Sequence, residues 1–135
     1  MKLTLTGKAP ILEIQQEFNR EFPYLKLEFF SRSHTKGMPT SINYMIKPGK
    51  SLGEFGFGNK ESEIEVYGSK TVSELENEFK NRFSLNVQVF RKSGRIWLET
   101  TATDDWTLDS QNEQGKELSE YTKDRDDLPD YHEQE

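Results

Sequence analysis

Apolar and polar positions follow one order twice along the chain. Leu3 and Leu5 alternate with Lys2, Thr4 and Thr6 and stop at Gly7, the period-two pattern of a half-buried strand. Ile11, Ile14, Phe18 and Phe22 come next, and spacings of three and four residues lay a narrow apolar stripe along a helix. Alternation resumes at Leu25, Leu27 and Phe29. Downstream, Ile64, Val66 and Gly68 fall on Leu3, Leu5 and Gly7, and Val72, Leu75, Phe79 and Phe83 fall on the helical stripe. One residue drops out near Pro23 and Tyr24, after which Leu85, Val87, Val89 and Phe90 match Leu25, Leu27, Phe29 and Phe30. Pro10 suits the first turn of the first helix. Thr71 with Glu74 three residues on reads as a capping box for the second.

This order predicts an internal duplication, with repeats at about 2–47 and 63–101. Each copy is followed by a further predicted strand, at 41–46 and 96–101, the second reached through a tight turn at Ser93 and Gly94. The glycine-studded stretch 52–59 reads as a short strand or a loop. The expected class is α+β, a two-layer sandwich built from a duplicated β-α-β(-β) unit with helices on one face of a largely antiparallel sheet. A ferredoxin-like arrangement is the default and a β-grasp-like one the alternative. After Thr101 the pattern weakens: a loop anchored by Trp106, then a poor helix over 107–121 interrupted by Gly115. One domain is expected over 1–119, followed by an acidic, disordered tail over 120–135.

Charge sharpens this division. Residues 1–100 hold 15 Lys/Arg against 12 Asp/Glu, a balance of +3, whereas residues 101–135 hold 3 against 12, a balance of −9. The body is mildly basic and the end strongly acidic, so a role for the tail in modulating the basic ends is expected. Cysteine is absent, which removes disulfides, thiolate metal sites and cysteine nucleophiles. The alternation of residues 1–6 is that of a strand and not of a signal-peptide core, and no apolar run is long enough to span a bilayer. A cytoplasmic protein with no membrane partner is expected.

Candidate chemistry is sparse. His34 and His132 are far apart in sequence and have no neighbours at metal-ligand spacing. No phosphate-binding loop, dinucleotide fingerprint or nucleophile elbow is present, and nothing calls for a cofactor. The Phe55-Gly56-Phe57 run lacks the basic and aliphatic neighbours of an RNA-recognition strand. Asp104 and Asp105 are the most enzyme-like residues, as candidate ligands for a divalent cation or an acid–base pair. Thr103 and Thr107 around them read equally well as turn and helix-capping chemistry.

Strand alternation suggests a different surface. Pairing Phe90 with Trp97 across the predicted turn directs both away from the helices, with Phe30 and Tyr67 expected on the same side. Such an aromatic face suits a protein partner, including a second copy of the chain. With Arg32, Lys36, Arg91, Lys92 and Arg95 near the strand ends, it also suits single-stranded nucleic acid. The expected function is a non-enzymatic interaction or regulatory module, homodimeric in its simplest version. Nucleic-acid binding is the alternative, and a metal-dependent enzyme using Asp104 and Asp105 stands third. Whether residues 52–58 or the tail cover the aromatic face decides between a contact surface and plain packing.

Overall fold

The structure, a computed structural model, describes residues 1–32 and 40–123, the last three by backbone alone. Eight elements organise it: β1 (Lys2–Thr6), α1 (Ile11–Glu21), β2 (Leu25–Phe30), β3 (Glu61–Glu65), α2 (Val72–Phe83), β4 (Asn86–Ser93), β5 (Ile96–Glu99) and α3 (Leu108–Lys123). The two helices predicted from the apolar stripes form where those stripes lie. Ile11, Ile14 and Phe18 of α1 and Val72, Leu75 and Phe79 of α2 are buried in one hydrophobic cluster with Leu3, Leu27, Phe29, Ile64, Val87 and Leu108. Pro10 occupies the N-cap position of α1. Thr71 caps α2, its hydroxyl accepting the Glu74 N–H at 3.0 Å.

The architecture is mixed α+β, consistent with a two-layer arrangement, but the described strands form two antiparallel sheets. β1 pairs with β3, and β2, β4 and β5 pair in that order. Ferredoxin-like and β-grasp-like arrangements both call for one continuous sheet, so the observed pairing departs from each. Leu3 faces Ile64 in the first sheet, and Glu28 faces Gln88 in the second. The expected strand at 41–46 is instead a 3-10 turn, Ile42–Tyr44, with a single bridge from Met45 to Phe30. Ser41 favours that turn by accepting the Asn43 N–H.

The β4–β5 hairpin turns at Gly94 and Arg95, not at Ser93 and Gly94. Gly94 thereby takes the first central position with φ 65°, a conformation that position of a two-residue turn reserves for glycine. Phe90 now faces Glu99, and Trp97 faces Lys92. The slip is two residues, so every side chain keeps its expected face.

Residues 52–58 do not lie over the second sheet. Leu52–Phe55 form a 3-10 turn beside β1, with the Gly53 N–H donating to the Gly7 carbonyl at 3.2 Å. Phe57 packs in the core, 6.0 Å from the Phe83 ring. α3 runs to Lys123 and crosses the expected domain boundary at 119. Gly115 does not interrupt it: a Cβ there would come within 2.8 Å of the Tyr24 Cβ, so glycine permits the helix to approach β2. The expected tail beyond residue 123 lies outside the described residues.

A buried charge fastens α2 to β3. Lys70 is 5% exposed, and its Nζ donates to the Glu65 carbonyl and to Glu78 at 2.7 and 2.5 Å. Arg82 holds the other Glu78 oxygen at 2.7 Å and also donates to the Glu63 carbonyl. Burial pushes the Glu78 carboxyl up, but the hydrogen bonds from Lys70 and Arg82 outweigh it, leaving the group below the usual glutamate range. Its contribution to stability is therefore full above the unfolded-state value and is lost as pH falls through the folded one. Thermal melts from pH 7 down to 3 should show this decline, and Glu78→Gln should flatten it. Parallel declines in the two proteins would assign the acid sensitivity elsewhere.

Candidate functional site

The β2–β4–β5 sheet has two edges, and they are treated differently. The β2 edge is closed from α1 and the 44–46 segment. Gln15 and Asn19 donate to the Leu27 and Leu25 carbonyls at 2.7 and 2.8 Å, and the Ile46 N–H donates to the Phe29 carbonyl at 2.8 Å. Among the described residues the β5 edge is open. The Thr100 N–H donates to the Val89 carbonyl at 3.2 Å, which sets the phase of the antiparallel ladder. Ile96 and Leu98 then bond to β4, while Trp97 and Glu99 turn their N–H and C=O groups outward. Among the described residues none pairs with those outward groups. An unpaired strand edge is a template for another strand.

An aromatic surface adjoins this edge. Phe90 and Trp97 lie half-buried on one face, and the Lys26 Nζ sits 5.3 and 5.1 Å from their ring centroids. A cation over two aromatic faces is attracted by both ring quadrupoles, so Lys26 bridges the two rings. Lys26 also lies 3.4 Å from Glu28, which in turn accepts from Gln15 at 3.0 Å. Glu28 and Gln88, at the middle of the face, are buried. The accessible part is therefore the end bearing Phe90, Lys92, Trp97 and Glu99.

The other predicted residues are dispersed. Phe30 is 4% exposed at the far end of β2, bridged to Met45. Tyr67 is exposed, but it follows β3 of the other sheet and stacks on Lys70. The four aromatics therefore do not share one face, because strand alternation carries no information across two sheets. Arg32 is exposed at the far end of β2, 4.4 Å from the Tyr44 ring. Arg91 projects to the opposite face, donating to Gln111 of α3 at 2.8 Å and lying 5.8 Å from the Trp106 ring. Burial lowers the Arg91 pKa. Lys92 remains beside Trp97, Arg95 stands in the hairpin turn, and Lys36 and His34 lie outside the described residues.

Asp104 and Asp105 form a turn before α3. The Asp104 carbonyl accepts the Ser73 N–H at 2.7 Å, an arrangement that ties the loop to the start of α2. Among the described residues no group of three or more His, Asp or Glu side chains is placed to hold a metal ion. Asp105 instead lines an open groove with Trp106, Ser110, Glu113 and Glu117. No described helix is long and apolar enough to cross a membrane.

Two features of this surface were missed in the sequence. Lys26 stands opposite Phe90 and reaches on to Trp97 only because β2 pairs with β4, a long-range pairing. The open edge depends on which strand ends the sheet, and alternation within a strand does not state that. Comparisons with known protein families, with curated proteins and with solved structures find no match, so the surface is read from its chemistry alone.

Proposed function

We propose that this chain is a non-enzymatic interaction or regulatory module whose contact surface is the open β5 edge with the adjoining Phe90 and Trp97 face. The observation that carries the reading is the outward backbone of Trp97 and Glu99 beside half-exposed aromatic rings. Strand addition at such an edge supplies affinity through main-chain hydrogen bonds, and the neighbouring side chains supply selectivity. Single-stranded nucleic acid has weaker support as the partner. Lys26 already occupies the rings that bases would stack on, Glu99 flanks them, and Arg91 is turned toward α3.

We also read the chain as two copies of one strand–helix–strand unit. Supporting this, each ladder contains one facing pair, Leu3 with Ile64 and Glu28 with Gln88, whose two members are aligned with each other by sequence. Loop hydrogen bonds recur in the same places. Ile11 donates to the Lys50 carbonyl as Val72 does to that of Trp106, and Ile46 to Phe29 as Thr100 does to Val89. Gly53 likewise donates to the Gly7 carbonyl as Asp109 does to that of Gly68. On this reading β5 occupies the place of the 44–46 segment, lengthened into a true strand by its hairpin.

A photo-crosslinking amino acid in place of Trp97, in the full chain expressed in cells, tests the function. Covalent adducts to a protein, this one or another, are expected from position 97 and not from Gly49, in the turn closed by the Lys50 N–H donating to the Lys47 carbonyl. No adduct from position 97 would remove the interaction reading.

A further inference from the structure

The sequence of the open edge is complementary to itself. Read outward from Trp97, the edge carries Leu98 and Glu99 on one side and, on the other, Ile96 and then Arg95 of the hairpin turn. We infer that the partner at this edge is a second copy of the chain, its β5 adding antiparallel to β5 about a two-fold axis through Trp97. This rests on the reading of β5 as the contact surface and names what occupies it.

The register follows from the ladder geometry. A two-fold axis at Trp97 places Trp97 against Trp97 of the second copy, Ile96 against Leu98, and Arg95 against Glu99. Trp97 already turns its backbone groups outward, so it forms the central hydrogen-bonded pair this register requires, while Glu99 meets the turn residue Arg95 through charge. Each cross-strand pair is then matched: aromatic with aromatic, aliphatic with aliphatic, cation with anion. An axis at Ile96 sets Trp97 against Arg95 and Leu98 against Gly94. An axis at Leu98 sets Trp97 against Glu99 and Ile96 against the buried Thr100. Neither alternative matches charge with charge, so self-complementarity selects the axis at Trp97. Pairing in this way joins two three-stranded sheets into one of six strands and covers Ile96, Trp97 and Leu98, all half-exposed in the single chain. Four strand residues make a small interface, so the dimer should be weak and concentration-dependent, in roughly the micromolar range.

Light scattering on the full chain over a range of concentrations, with charge-reversed variants, tests this. The unaltered chain should pass from monomer to dimer as concentration rises. Glu99→Arg alone and Arg95→Glu alone should each raise the dissociation constant about tenfold, since each sets like charges opposite one another twice per dimer. The variant with both reversals should recover the original constant, and recovery also shows that the single variants did not act by misfolding. A monomer at every concentration, or a double reversal no better than the singles, would overturn self-pairing. If crosslinks from position 97 then reach another protein, the interaction reading survives without the homodimer; if they reach nothing, both fall.

Discussion

Gly7→Ala should be among the most damaging single-methyl additions in this chain, costing about 3 kcal/mol. A Cβ at Gly7 would lie 1.6 Å from the Gly58 carbonyl oxygen and 3.4 Å from the Gly53 Cα. The first obstacle is backbone and cannot rotate away as a side chain would. Relief requires the β1 turn and the 52–58 segment to separate, which breaks the Gly53-to-Gly7 hydrogen bond and draws Phe57 from the core. Gly49 is the natural control, because a Cβ there meets nothing within 4 Å. Chemical denaturation should show a greatly lowered midpoint for Gly7→Ala and an essentially unchanged one for Gly49→Ala. Equal midpoints would mean that the turn and the segment are not in contact.

Phe18→Ala and Phe79→Ala should each cost about 3–5 kcal/mol, the range for truncating a fully buried phenylalanine. Both side chains have no exposure. Phe79 stands edge-on to Phe29 at 5.9 Å and lies 6.1 Å from Phe83, while Phe18 packs on Phe22 at 5.3 Å. The two lie on different helices but belong to one contiguous core. Each loss should therefore shift a single cooperative transition, followed alike by fluorescence and circular dichroism. Two separate transitions, with each variant moving only one, would show that the halves are independently stable.

Local pattern carried the helices and most strands, because three-and-four spacing and period-two alternation reflect burial directly. Leu25 to Phe30 and Asn86 to Ser93 could be recognised as strands without knowing that they pair with each other. Faces were legible for the same reason: the hairpin slipped by two residues, yet Phe90 and Trp97 remained on one side. Pairing itself was not legible. Placing Tyr67 beside Phe90 assumed one sheet, and β3 belongs to the other. Residues 41–46 alternate well enough for a strand, but Ser41 and the 3-10 turn after it leave only the Met45 bridge to Phe30. The propensity of Gly115 hid the length of α3, whose closeness to Tyr24 makes a side chain there unwelcome. The candidate surface was half visible, in its aromatic and basic residues. Lys26 and the unpaired edge required the strand order.

The state of the β5 edge is what the functional account turns on, and residue-resolved amide exchange in dilute solution reads it directly. The account predicts an alternation: slow exchange at Ile96, Leu98 and Thr100, which bond toward β4, and fast exchange at Trp97 and Glu99, whose N–H groups face outward. Slow exchange at all five positions under the same conditions would mean that another part of the chain covers the edge, and would contradict the account.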